Sequence, residues 1–181
     1  MAEIKQFTLR DGRILCLRQP ELSDAAELLA YLPAVGAETD FLLMDEHGIP
    51  DFSLDDERDW IQRTLDTPNA VMFLGFVDGA LAAMCDVRPG GRPRTAHNAT
   101  LAINVKKDYW HIGVGSLLMR EMVGFARGTC ALENLLLEVR ADNARAIALY
   151  ERFGFHICGC KARHVKVRGE YFDELQMELP L

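Results

Sequence analysis

From residue 96 to residue 139 the chain reads strand, glycine-bearing loop, helix, strand, and that order constrains the fold more than any other feature. Ala96 to Val105 reads as a strand. Gly113 to Ala126 has helical spacing, with Leu117, Leu118, Met122 and Phe125 facing inward. Leu135 to Val139 is a short apolar strand, buried on both faces except at Glu138. A helical crossover between two strands of one sheet makes them parallel.

Elsewhere the connections are hairpins, which make antiparallel pairs. Phe7 to Leu17 alternates around an Asp11-Gly12 turn, as a strand pair or one bent strand. Ala70 to Val77 and Ala80 to Val87 flank Asp78-Gly79, and Phe155 to Val167 and Glu170 to Leu179 flank Arg168-Gly169. Pro89 to Pro93 is a surface turn. Ser23 is placed to cap a helix that runs to about Tyr31 and stops at Pro33. Ala34 to Phe52, with Gly36, Gly48 and Pro50, reads as a loop with a short helical piece, long enough to line a substrate site. Ser53-Leu54-Asp55-Asp56 opens a capped helix, and Asn143 to Phe153 forms another, ended by Gly154. The expected fold is α/β (α+β): a mixed, mostly antiparallel sheet of about seven strands with about four helices. Its 181 residues suit one domain spanning 1–181.

A formal charge of -7 excludes the basic surplus that nucleic-acid binding needs, and mildly favours cationic partners. No run approaches the ~20 apolar residues of a membrane span, and the first residues lack a secretory signal, so a cytoplasmic location is expected. Cys16, Cys85, Cys130, Cys158 and Cys160 are odd in number and scattered, which fits reduced thiols. Cys158 and Cys160 read as buried strand thiols, and no metal site is expected.

Chemistry concentrates in two places. In the first, Gly113 and Gly115 stand at the mouth of a helix, where backbone amides and the helix dipole receive an anion. A dinucleotide fingerprint would need a third glycine where Leu118 stands, and Gly-Lys-Ser/Thr is absent, so a plain diphosphate cradle remains. The second is Leu137 to Phe155, a strand, polar turn, helix and strand start carrying Asn143, Ala146, Tyr150, Gly154 and Phe155.

With these two stretches in this order, the chain resembles the GCN5-related N-acetyltransferase (GNAT) superfamily over nearly its whole length, in its small-molecule branch. Asn-x-x-Ala-x-x-x-Tyr-x-x-x-Gly-Phe matches the family's second CoA motif, and the glycine loop matches its pyrophosphate loop. The loop opens with Trp110 where the family usually has Arg or Gln. The resemblance implies the acyl-CoA N-acyltransferase fold, with the strands at 96–105 and 135–139 paired at first and then splayed. It implies acetyl-CoA as co-substrate, its pantetheine arm in the gap beside Ile103, Asn104 and Val105. The loop residues Trp110, His111, Ile112, Gly113, Val114, Gly115 and Ser116 then hold the pyrophosphate, while Asn143 and Ala146 line the thioester end.

Transfer to an amine needs a neutral nucleophile, yet a lysine-like amine is neutral in roughly one molecule in two to three thousand at pH 7. A base must take its proton, and an acid can protonate the departing thiolate. The resemblance makes Tyr150 the acid and Glu38 the base, with the Val105 amide beside the developing oxyanion. Asp86, Asp173 and Glu174 are rival bases, and Tyr109 and Tyr171 are candidates for the pocket rim. The expected function is transfer of acetyl from acetyl-CoA to a primary amine of a small molecule. A longer acyl donor and a non-catalytic CoA sensor stand as alternatives, and the C-terminal strands allow a homodimer.

Overall fold

The computed structural model describes residues 4–47 and 51–181. Its elements in chain order are β1 (Lys5–Thr8), β2 (Ile14–Arg18), α1 (Ala25–Glu38), α2 (Leu54–Asp66), β3 (Val71–Val77), β4 (Ala80–Pro89), β5 (Asn98–Val105), α3 (Val114–Gly128), β6 (Asn134–Arg140), α4 (Ala144–Arg152), β7 (His156–Val167) and β8 (Glu170–Pro180). The strands form one sheet in the order β1-β2-β3-β4-β5-β6-β8-β7. There are eight rather than about seven, because the N-terminal segment folds into a strand pair.

All neighbours are antiparallel except β5 and β6. That parallel pair is joined only from Asn98–Thr100 to Asn134–Leu136. Beyond it β5 stays bonded to β4 and β6 to β8, so the sheet opens between them. The hairpin turn at Asp78 (φ 52°) and Gly79 (φ 81°) has both residues left-handed, the geometry that matches strand twist.

Apolar side chains separate onto the two faces. Leu118, Met119 and Met122 of α3 pack with Leu135, Leu137, Cys85 and Val87 on one face. Leu28, Tyr31 and Val35 of α1 and Ile61 of α2 pack with Met72, Leu74 and Met84 on the other. Among the described residues no helix is long and apolar enough to cross a membrane.

Three local expectations are corrected. First, α1 does not stop at Pro33 but runs through it to Glu38. An internal proline costs about 3 kcal/mol; burial of Leu32 and Val35 against the sheet offsets it. Second, the chain enters α1 through a 3₁₀ turn at Leu22–Asp24, not through a Ser23 cap. The Asp24 carboxylate accepts from the Glu21 amide (2.7 Å) and is gripped by Arg18 (2.7 and 2.8 Å). Third, Cys158 and Cys160 are exposed, because β7 is an edge strand. The expected loop now starts at Thr39, and Gly36 lies inside α1, where a Cβ would stand 2.4 Å from the Asp45 carbonyl oxygen. Gly48 and Pro50 lie outside the described residues. The Ser53–Asp56 capping box forms as expected.

Glu57 sits on the buried face of α2 with neither carboxylate oxygen hydrogen-bonded. Burial pushes its pKa up to about 7. A raised carboxyl pKa leaves folding unpenalised below the unfolded value and costs stability as pH rises through the folded one. Glu57→Gln should therefore stabilise the protein by about 1–3 kcal/mol at pH 8 relative to its effect at pH 4, read by urea unfolding at both pH values.

Candidate functional site

The opening between β5 and β6 is the floor of a cleft of about 610 Å³. The Lys106 amide donates to the Ala82 carbonyl (2.9 Å), and Val105 faces Ala83 across the β4–β5 ladder. In an antiparallel ladder this pattern turns the N–H and C=O of Val105 and Ile103 away from β4 and toward the gap. Asn104 between them turns its backbone to β4, so it contributes its side chain, whose Oδ1 is buried without a partner. The gap thus offers a short run of unpaired strand backbone to an extended ligand.

The glycine loop closes one end of this cleft. His111 (φ 65°) and Gly113 (φ 105°) are both left-handed, and Gly113 is the N-cap of α3. The first helical amide bond runs from Leu117 to Gly113 (3.1 Å), so the amides of Val114, Gly115 and Ser116 lie ahead of any intrahelical acceptor. No acidic side chain stands in that first turn. Trp110, in the unusual position, donates from its indole Nε1 to the Val105 carbonyl (2.7 Å), and the Arg145 guanidinium stacks on its ring at 3.6 Å. Ile112 does not line the cleft; its carbonyl instead accepts the Arg10 amide (3.0 Å) from the β1–β2 turn.

Helix α4 closes the other side. Asn143 caps it by accepting from the Ala146 amide (3.2 Å), and Asn143, Ala146, Leu149 and Tyr150 line the cleft. Tyr150 is buried, its ring 6.2 Å from that of Phe155. Burial pushes its pKa up to about 12, so the phenol carries its proton throughout the neutral range. This is the state a proton donor requires.

The ionisable groups offered as base or pocket rim divide between the cleft and its surroundings. Glu38 is the last residue of α1 and spends its Oε2 on the Lys107 amide (2.6 Å); it is not among the lining residues. Asp86 is also absent from the lining. It is buried, which pushes its pKa up to about 6 against the opposing pull of Arg88. The Arg88 Nε lies 2.5 Å from its Oδ2 but out of line for a hydrogen bond, so the two form an ion pair. Asp173 accepts from the Arg163 amide (2.7 Å) and Tyr171 lies exposed beneath Arg163, both outside the cleft. Glu174 and Tyr109 do line it.

Sequence reasoning missed Arg10, Arg88, Glu138 and Arg140 as cleft residues. Arg140 is buried, stacked 4.7 Å from Phe41 and 3.8 Å from Phe172, and bidentate to Asp142 (2.7 Å each). A charged pair at the end of an apolar strand was the available signal for it.

A family model for the acetyltransferase (GNAT) family matches residues 38–155. An L-amino acid N-acetyltransferase of Escherichia coli is 32% identical over 65% of this chain and 73% of its own length. An Escherichia coli N-acetyltransferase for the alanine of ribosomal protein bS18 is 29% identical over 67% of this chain and 81% of its own. A GNAT acetyltransferase structure from Streptococcus pneumoniae superposes with a TM-score of 0.88 at 32% identity, over 92% of this chain and 99% of that one. A Salmonella typhimurium structure solved with its cofactor acetyl-CoA superposes at 0.77 and 18% identity, over 92% and 94%, a likeness of fold. With the open strand pair, the amide cradle and these matches together, the chain belongs to the GNAT acetyltransferase family.

Proposed function

We propose that this protein transfers the acetyl group of acetyl-CoA directly to a primary amine of a small-molecule acceptor. The observation that carries the reading is the juxtaposition, in one cleft, of unpaired α3 amides, open β5 backbone and a protonated Tyr150. The fit to acetyl-CoA is specific in kind. Val114, Gly115 and Ser116 amides suit the pyrophosphate, and Ile103 and Val105 suit the amide-bearing pantetheine arm. Acetyl-CoA supplies an activated acyl group on a thiol that leaves readily.

The chain's own residues then have distinct tasks. The Val105 N–H faces the place where negative charge develops on the carbonyl oxygen. Tyr150 gives its proton to the departing sulfur. Ala146 and Leu149 keep water from that end of the cleft, and Asn143 fixes the turn that positions Tyr150. Of the carboxylates offered as base, Glu38 is committed to the Lys107 amide, and its part in this reading is to hold that turn.

Two observations favour a small acceptor. Arg168 of the β7–β8 turn bridges to Asp40 (2.8 Å), and Arg140 donates to the Asp40 carbonyl (2.8 Å), so the α1–α2 loop is tied across the acceptor side. Arg88 meets Asp86 through Nε, leaving its terminal nitrogens for an anionic group on the acceptor. The amino-acid relative is consistent with an amine that also bears a carboxylate.

Purified protein, acetyl-CoA and a panel of amino acids, polyamines and simple amines should give free thiol only when a suitable amine is present. CoA binding with no thiol release from any amine would instead mark a sensor. Tyr150→Phe should lower kcat about 10²–10⁴-fold while leaving the CoA Kd unchanged by calorimetry. Arg88→Ala should raise KM about 10–100-fold for an amino acid and leave KM for the matching decarboxylated amine unaltered, the value of one charge-assisted contact.

A further inference from the structure

We infer that Glu174 takes the proton from the acceptor's ammonium group and that His164 passes it to solvent. This rests on the acetyl-transfer reading and adds the step that turns the amine into a nucleophile. Glu174, on β8, is only 3% exposed yet lines the cleft that Tyr150 also lines. Its neighbours across the sheet are Arg140 on β6 and Lys161 on β7. Arg140 is committed to Asp142 and to the Asp40 carbonyl. Lys161 is shared, reaching Glu138 and, at 3.2 Å, Glu174.

One lysine thus serves two carboxylates, so Glu138 and Glu174 outnumber the cation they share. A buried charge without a partner is costly, and an incoming ammonium group supplies that partner. Glu138 needs that partner less, because its side chain is 40% exposed and water already solvates it, whereas Glu174 is buried. Glu174 uses Oε2 for Lys161 and for His164 Nε2 (3.4 Å). Neither contact uses Oε1.

The backbone is built to place His164 there. Between Lys161↔Glu174 and Val165↔Phe172, four steps along β7 span two along β8. Arg163 in this bulge is left-handed (φ 54°), and its amide is pinned by Asp173 Oδ1 at 2.7 Å. Bulges re-aim side chains beside active sites, and this one brings His164 onto the carboxylate that Lys161 also meets. The His164 side chain is 48% exposed, so it reaches both Glu174 and water.

The step balances as follows. Glu174 carboxylate takes one proton from R–NH3⁺, giving R–NH2 and a neutral carboxyl group, and His164 relays that proton to solvent. The nitrogen lone pair forms the C–N bond to the thioester carbonyl carbon as the C–S bond breaks. The sulfur keeps that bond's electron pair and takes the Tyr150 proton. The phenol is restored by the second proton lost from nitrogen.

The test uses the whole protein with acetyl-CoA and the amine that the panel turns over fastest. Glu174→Gln should lower kcat/KM about 10²–10⁴-fold at pH 7. Its residual rate should climb about tenfold per pH unit, as solution now has to deprotonate the amine, where the native rate levels off. His164→Ala should lose rate in dilute buffer and regain it with added imidazole, with CoA affinity unaltered. A Glu174→Gln protein that binds CoA normally and keeps the native pH profile would overturn the assignment, as would a His164→Ala rate indifferent to buffer. A native protein that binds no CoA, or releases no thiol with any amine, would instead sink the acetyl-transfer reading itself.

Discussion

The parting of β5 from β6 after three residue pairs is the constraint on which the site depends. Strand backbone left without a ladder partner has to find another or bear a desolvation cost. The sheet confines that cost by letting β6 pair with β8 along its whole length and β5 with β4 along its own. On β5, what stays unpaired is the N–H and C=O of Ile103 and the N–H of Val105, whose carbonyl takes the Trp110 indole. Behind it, Leu118, Met122, Leu135 and Leu137 are packed as a core, so the gap does not close by collapse.

Charge divides along the same line. The donor end carries the α3 amides with Arg10, Arg145 and Arg152 in the lining, although the chain as a whole has a formal charge of -7. The acceptor end carries Glu138 and Glu174 beside Arg88 and Arg140, each arginine paired with an aspartate. Burial alone lowers the Arg145 pKa, and its stacking on Trp110 compensates part of that desolvation. Trp110 therefore takes over a basic position indirectly: it gives its indole N–H to β5 and holds an arginine over its face. In the proposed reading a polyanion meets the basic end, while the other end offers carboxylates to an ammonium.

Elements with strong local signals were legible in the sequence. The Asp78-Gly79 hairpin, the Ser53 capping box and the Gly154 cap each rest on one or two residues whose conformation is nearly forced, and each forms. Most of the donor half was legible for the same reason, since main-chain amides at a glycine-bearing helix start need only local sequence. Of the acceptor half, only Glu174 and Tyr109 were picked out, each among rivals that lie outside the cleft. Arg88, Glu138, Arg140 and Glu174 converge through cross-strand register, and the β7 bulge that turns His164 inward depends on Asp173 pinning Arg163 from the next strand. The end of α1 was misread because Pro33 is a breaker locally, while burial of its neighbours is a tertiary effect. That error also placed Glu38 in a loop, where its carboxylate would be unbound.

Restored to the helix end, Glu38 explains how the loop between β5 and α3 is held in place. Three tethers meet there: Glu38 to the Lys107 amide (2.6 Å), Trp110 to the Val105 carbonyl (2.7 Å) and Arg10 to the Ile112 carbonyl (3.0 Å). They come from α1, β5 and the β1–β2 turn, three separate parts of the fold. Two of them occupy carbonyls of the β5–α3 segment, and none uses the amides at Val114, Gly115 or Ser116, so the ordering is done through the groups a phosphate does not need. Fixing residues before the ligand arrives removes an entropy cost of about 1–2 kcal/mol per backbone residue from binding. In the proposed reading the loop therefore grips a diphosphate through amides alone, and its first position is free to be a tryptophan.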